Sequence, residues 1–136
     1  MVRREPVIPT DLLAGLHVLV VEDNAEARDL FKAILEYAAA LVSVATDAKQ
    51  ALAMCQHIVP DVLVVDIVMP EHDGFWLLGQ LRGQGTRTAA VPAVAVTGRA
   101  DRPAGSFAAA GFAAHMQKPI DPWELCRMVN HLGRKR

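Results

Sequence analysis

Two adjacent carboxylates, Glu22 and Asp23, close the apolar run "LHVLVV" of this 136-residue chain. A third, Asp66, closes "VLVV" at 62–65; Thr97-Gly98 close "VPAVAV" at 91–96, and Lys118-Pro119 follow "AAHMQ" at 113–117. Acids at the edge of a core are costly unless something there needs negative charge. Three carboxylates on neighbouring strands would repel one another, and a divalent cation relieves that. An all-oxygen set with no His or Cys nearby suits Mg²⁺ or Mn²⁺ better than zinc. Glu22 and Asp23 are therefore expected to hold a metal. Asp66, near the ion, is expected to be ionised already and to attack phosphorus without a general base, giving an aspartyl phosphate. The three phosphoryl oxygens would be met by the ion, the Lys118 ammonium and the Thr97 hydroxyl, with loop N–H groups helping. Gly98 leaves room for the group beside the backbone. Taken singly, each residue reads as a helix cap, a turn former or a solvated loop cation. The order and placement of all of them carry the reading.

The elements that would position these residues alternate. Short apolar runs at 17–21, 41–45, 61–66, 91–97 and 113–117 have the β-branched or doubly covered character of buried strands. Between them lie helical patterns. Asn24 caps the first, whose apolar stripe is Ala27, Leu30, Phe31, Ile34, Leu35 and Ala38. Asp47 with Gln50 resembles a capping box for a second helix carrying Ala51, Leu52, Cys55 and Ile58 and ended by Pro60. "MPEHDG" is a turn-rich loop before the helical "FWLLGQLR". Pro103 marks the start of an Ala- and Gly-rich fourth helix. Asp121-Pro122-Trp123-Glu124 opens the fifth, with Leu125, Met128, Val129 and Leu132 inward. Five such units predict an α/β fold with a parallel sheet covered on both faces. In such a sheet ligands bind beyond the carboxyl ends of the strands, where the candidate residues stand.

Composition agrees with one packed domain. Hydrophobic residues make up 52% of the chain and charged residues 21%, too apolar a balance for a disordered chain. A net charge of −1 gives no electrostatic case for nucleic acid or a membrane surface. Arg3-Arg4 and the basic tail at 134–136 read as solvated ends, with a phosphate-tracking arm as the alternative. Cys55 and Cys126 are far apart, outside any CxxC spacing, and read as small apolar core residues in a reduced, cytoplasmic context. Pro6, Pro9 and Asp11 interrupt the start, which argues against a signal peptide, and no apolar stretch is long enough to cross a bilayer. The expected organisation is a leader or linker at 1–14, a domain at 15–133 and a short tail at 134–136.

With "VLVVEDN", "DVLVVDIVMPEHDG", "VAVTG" and "QKPI" in this order, the chain resembles the receiver domains of two-component response regulators over residues 16–133. The resemblance implies a flavodoxin-like, doubly wound sheet of order 2-1-3-4-5. It implies that Asp66 accepts phosphate from a histidine kinase or a histidine phosphotransfer protein. Glu22, Asp23 and Asp66 would ligate Mg²⁺ together with the backbone carbonyl of Val68. Lys118 would contact the phosphoryl group. Thr97 would move toward it and reshape the face of the fourth helix, fifth strand and fifth helix, a two-state switch biased by a new charge and read by a downstream effector. Such a domain is no enzyme toward other substrates; it catalyses only its own phosphorylation and dephosphorylation. Homodimers through the fourth-helix face are common in the family, although this Ala-rich helix shows no charge pattern for one.

The chain departs from the family at the switch position three before Lys118, where an aromatic Tyr or Phe gives way to His115, a smaller ring that titrates near neutral pH. Val68 and Arg99, two after Asp66 and Thr97, stand where such domains set the lifetime of the acyl phosphate. Three other readings are weighed. A haloacid-dehalogenase-like phosphatase wants a second Asp where Val68 stands, and a cap domain. A nucleotide-binding module wants a Gly-rich turn that "EDNAEAR" lacks. An interaction-only receiver would signal without phosphorylation. The sequence leaves open whether this is a stand-alone regulator or part of a hybrid kinase.

Overall fold

The computed structural model describes residues 7–85, 87–98 and 103–135. Five parallel strands, β1 (His17–Val21), β2 (Leu41–Ala45), β3 (Val62–Asp66), β4 (Ala93–Thr97) and β5 (Ala114–Gln117), form one sheet in the order β2-β1-β3-β4-β5. This is the order that the resemblance implies. The helices are α1 (Ala25–Tyr37), α2 (Ala48–Met54), α3 (Gly74–Gly83), α4 (Ala104–Ala109) and α5 (Pro122–Arg134). Because successive side chains alternate across a strand, each central strand feeds two cores. Val18, Val20, Val62, Val64, Val94 and Val96 pack with Phe31 and Leu35 of α1 and Leu125 and Val129 of α5. Leu19, Val21, Leu63, Val65, Ala93 and Ala95 pack with α2, α3 and Phe107 of α4. Cys55 and Cys126 are buried and unpaired, and burial pushes the Cys126 thiol up to about 11, as expected for small apolar fillers.

Side-chain caps fix where the helices start, and so where the loops at the strand ends run. The Oδ1 atoms of Asn24, Asp47, Asp73 and Asp121 accept from the N–H groups of Ala27, Gln50, Trp76 and Trp123 at 2.7–2.9 Å. The short α4 has no side-chain cap, in keeping with its weak pattern. Its end is well defined. Gly111 takes φ +100 while the Phe112 and Gly111 N–H groups return to the Phe107 and Ala108 carbonyls, a Schellman ending that glycine suits. Ala39 ends α1 the same way at φ +75, where a methyl side chain is strained.

Several sequence expectations need correction. Leu30, which has the spacing of the α1 stripe, is 54% exposed; the stripe residues that pack are Phe31, Ile34, Leu35 and Ala38. The second helix stops at Met54 and not at Pro60, because turns at 55–58 carry Ile58 onward without helical continuation. Gln50 returns its side chain to the N–H of Thr46, one residue before the cap, so the box does not close on Asp47. The fourth strand begins at Ala93, because a 3₁₀ turn at Arg87–Ala90 precedes it and Pro92 has no N–H for the ladder. The leader is no plain linker: Leu13 is fully buried in the α1/α5 core, and its N–H donates to the Ala38 carbonyl at 2.8 Å. Arg134, read as a solvated tail, is the last residue of α5 and donates to the carbonyls of Leu12 and Ala14 at 3.0 and 2.9 Å.

Candidate functional site

Parallel register brings the carboxyl ends of β1, β3 and β4 side by side, and the acids arrive there because they stand at their strands' ends. Val21 pairs with Val65, and Asp66 with Val96. Glu22, Asp23 and Asp66 converge so that one ligand oxygen from each lies within 4.8 Å of the others. Glu22 and Asp66 are buried and Asp23 is exposed, so the set is a pit with an open mouth. The surrounding cleft of about 380 Å³ is also lined by Asn24, Val68, Gly98 and Lys118.

The donors around the acids are ordered. The Lys118 ammonium lies 2.6 Å from Glu22 Oε1 and 3.7 Å from Asp66 Oδ2. Its backbone N–H donates to the Thr97 carbonyl at 2.8 Å, which ties the β5–α5 loop to β4. The Asn24 N–H donates to Glu22 Oε2, and the Val68 N–H to Asp66 Oδ1, both at 3.2 Å. Gly74 lets α3 approach closely. A Cβ there would stand 2.8 Å from the Asp66 carbonyl oxygen, while the Gly74 N–H donates to the Ile67 carbonyl at 3.0 Å.

Burial raises the Asp66 carboxyl, and Glu22 beside it raises it further, to about 7. Burial also pushes Glu22 up. The hydrogen bonds with Asp66 and Lys118 outweigh that, and Glu22 lies below its ordinary value. Burial would lower Lys118, yet its bond to Glu22 and the charge of Asp66 hold it high, so it stays a cation. Without a cation beside it Asp66 is thus held toward its protonated form, and a further positive charge there would favour the carboxylate. The donor set fits one. Three carboxylate oxygens within 4.8 Å of one another are close enough to converge on one small cation. Hard carboxylate oxygens with an open mouth for water match that ion's preference.

Thr97 and Val68 border this centre, and His115 does not. Thr97 ends β4 and is buried. Val68 lines the cleft and is 54% exposed. His115 is outside the cleft, exposed on β5, its ring stacked on Phe107 of α4 at 4.7 Å and 14°. Arg99 lies outside the described residues. Two contributors escaped the sequence reading. Gly74 was seen only as part of a loop. Arg28 stands outside the apolar stripe of the first helix, yet its Nη1 donates to the carbonyls of Glu22 and Asp23. The "DG" pair before a helix signals a tight approach at Gly74; nothing in the spacing signals Arg28.

Comparison with known proteins agrees with this geometry. The model of the response regulator receiver domain matches residues 18–130. An uncharacterized 14.6 kDa protein of Leptolyngbya boryana is 42% identical over 120 residues, covering 86% of this chain and 89% of its own. Response regulator Rre1 of Synechocystis is 34% identical over 86% of this chain, which spans only 51% of Rre1. The receiver domain of the Pseudomonas aeruginosa sensor histidine kinase PA1611, solved with a magnesium ion in its active site cleft, superposes with a TM-score of 0.80 at 26% identity, covering 88% of this chain and 98% of that one. With its sheet order, its three strand-end acids and its Lys118 all in place, the chain belongs to the family of response regulator receiver domains.

Proposed function

We propose that this receiver domain is a phosphoacceptor in a two-component or phosphorelay system, with Asp66 as the acceptor. The observation that carries the reading is the convergence of three carboxylates within 4.8 Å with the Lys118 ammonium against two of them. Glu22, Asp23, Asp66 and the Val68 carbonyl would hold Mg²⁺ or Mn²⁺. When bound, that ion neutralises carboxylate charge and polarises the phosphoryl group. Asp66 then attacks as a carboxylate. Its oxygen forms the new O–P bond as the P–N bond to a donor imidazole breaks, and that electron pair stays on the imidazole. Lys118 exchanges its contact with Glu22 for a phosphoryl oxygen. Thr97, one strand over, takes another and draws the loop after β4 inward.

The partners are a histidine kinase or a histidine phosphotransfer protein on the input side and an effector protein that reads the α4–β5–α5 face. His115, stacked on Phe107, sits where that face would respond. No nucleic acid contact is part of the reading. Among the described residues no helix is long and apolar enough to cross a membrane, and a cytoplasmic location is part of the proposal. The domain modifies only itself.

Intact-protein mass after incubation with Mg²⁺ and acetyl phosphate tests this. One added phosphoryl group, lost in Asp66→Asn and in EDTA, is expected. No gain, with Mg²⁺ binding intact, would replace the proposal with an interaction-only domain.

A further inference from the structure

The loop that carries two of the three acids is short, residues 22–24, between β1 and α1. Glu22 is fixed at its main chain and its side chain: its N–H donates to the Ala45 carbonyl at 3.1 Å, and its carboxylate meets Lys118. Asp23 is different. It is exposed, and its carboxylate must come in from the rim. Arg28 reaches back from the first turns of α1, half-buried, and its Nη1 donates to the Glu22 carbonyl at 3.1 Å and to the Asp23 carbonyl at 3.4 Å. Its own N–H closes the first helical bond to the Asn24 carbonyl at 2.9 Å. One side chain therefore grips both peptide units of the acid pair, from a helix whose start is pinned by the Asn24 cap.

We propose that Arg28 is a positioning residue for the cation site: it fixes the loop backbone so that the Asp23 carboxylate is presented inward. This rests on the reading of Glu22, Asp23 and Asp66 as the cation site. Two effects of Arg28 on a bound cation oppose each other. As a like charge near the ion it weakens binding. As a clamp on the ligand loop it strengthens binding, because a ligand already in place loses less freedom when the ion arrives. Guanidinium geometry favours the clamp, since the two N–H bonds of the planar Nη1 diverge at a fixed angle and meet the two carbonyls at once, an orientation that a freely rotating ammonium does not hold.

The test is calorimetric titration of MgCl₂ into the full chain, with urea stability measured for each variant. Arg28→Met is expected to weaken Mg²⁺ binding about 10-fold, the usual size for loss of a group that orients a ligand. Arg28→Lys is expected to weaken it too, although the charge is kept. In an Asp23→Asn background the Arg28→Met loss is expected to shrink to less than about 3-fold, because the two act through one ligand. Equal or tighter binding by Arg28→Met would overturn the proposal, since that is what removing a nearby cation does. An undiminished loss in the Asp23→Asn background would overturn it as well. If Arg28→Met does not fold, Arg28→Lys with its own Asp23→Asn pair decides by the same criteria. A wild-type chain that binds no Mg²⁺ would overturn the cation site itself, and the proposal with it.

Discussion

Asp66→Asn is expected to stabilise the cation-free protein, and to do so more as pH rises. Asp66 is 5% exposed and is held up to about 7, against an ordinary value of 3.8, first by burial and then by Glu22. Between those values the folded protein keeps a proton that the unfolded chain has released, so stability falls as pH climbs through the window. Below about 4 both states are protonated and wild type and variant should match. Above about 7 the full penalty of an ionised buried carboxylate is present. At about 1.4 kcal/mol per pH unit the ceiling is about 4 kcal/mol. Glu22 shares that proton, which brings the expectation to about 2 kcal/mol at pH 8. For a domain of this size that raises Tm by roughly 8 °C. Urea denaturation in EDTA at pH 5 to 8, followed by circular dichroism, reads the effect. Added MgCl₂ should return most of the loss to wild type and little to the variant, because the ion stabilises the fold that binds it. A variant less stable than wild type at pH 8, or a gap that does not change between pH 5 and 8, would refute the reasoning.

Three further outcomes follow from the packing. At Ala39 the backbone takes φ +75 at the end of α1. Ala39→Gly removes that strain and, after glycine's entropic cost, should add about 0.5 kcal/mol in urea titration. Leu13 is fully buried, and Leu13→Ala should cost about 3 kcal/mol by the same titration; a loss near zero would make the leader peripheral. Gly74→Ala places a methyl 2.8 Å from the Asp66 carbonyl oxygen and 3.1 Å from Ile67 Cα. Backbone on both sides cannot yield easily, so this change should cost about 2 kcal/mol and weaken Mg²⁺ binding as Asp66 shifts, both measurable on one sample.

The sheet was legible because continuous apolar strands and Asx caps are local signals. Val62–Val65 and Asp121-Pro122 announce their structures without reference to the rest of the chain. The acids were legible for a related reason: a charge at the end of a buried run conflicts with its neighbours and asks for a cause. What stayed hidden depends on tertiary partners. Leu30 has the spacing of a core residue and faces solvent, because α1 lies on the sheet along Phe31 and Leu35. Leu13 sits near prolines without periodicity and is buried because α1 and α5 leave a gap for it. Arg28 has the spacing of a solvated residue, and only the turn of the 22–24 loop brings two carbonyls within its reach. The raised Asp66 carboxyl likewise required knowing that Glu22 lies beside it.

The grip of Arg134 on the carbonyls of Leu12 and Ala14 joins residues 122 and 120 positions apart. On the ribosome the leader segment emerges well before its clasp. At about 5–20 residues per second, several seconds or more separate them. During that interval Leu13 can find Ala38, but the outer side of the turn has no Arg134 to hold it, and the α5 face that covers it does not yet exist. A segment made early is thus among the last to be fastened, and a chain halted before residue 134 would leave Leu12 and Ala14 loose.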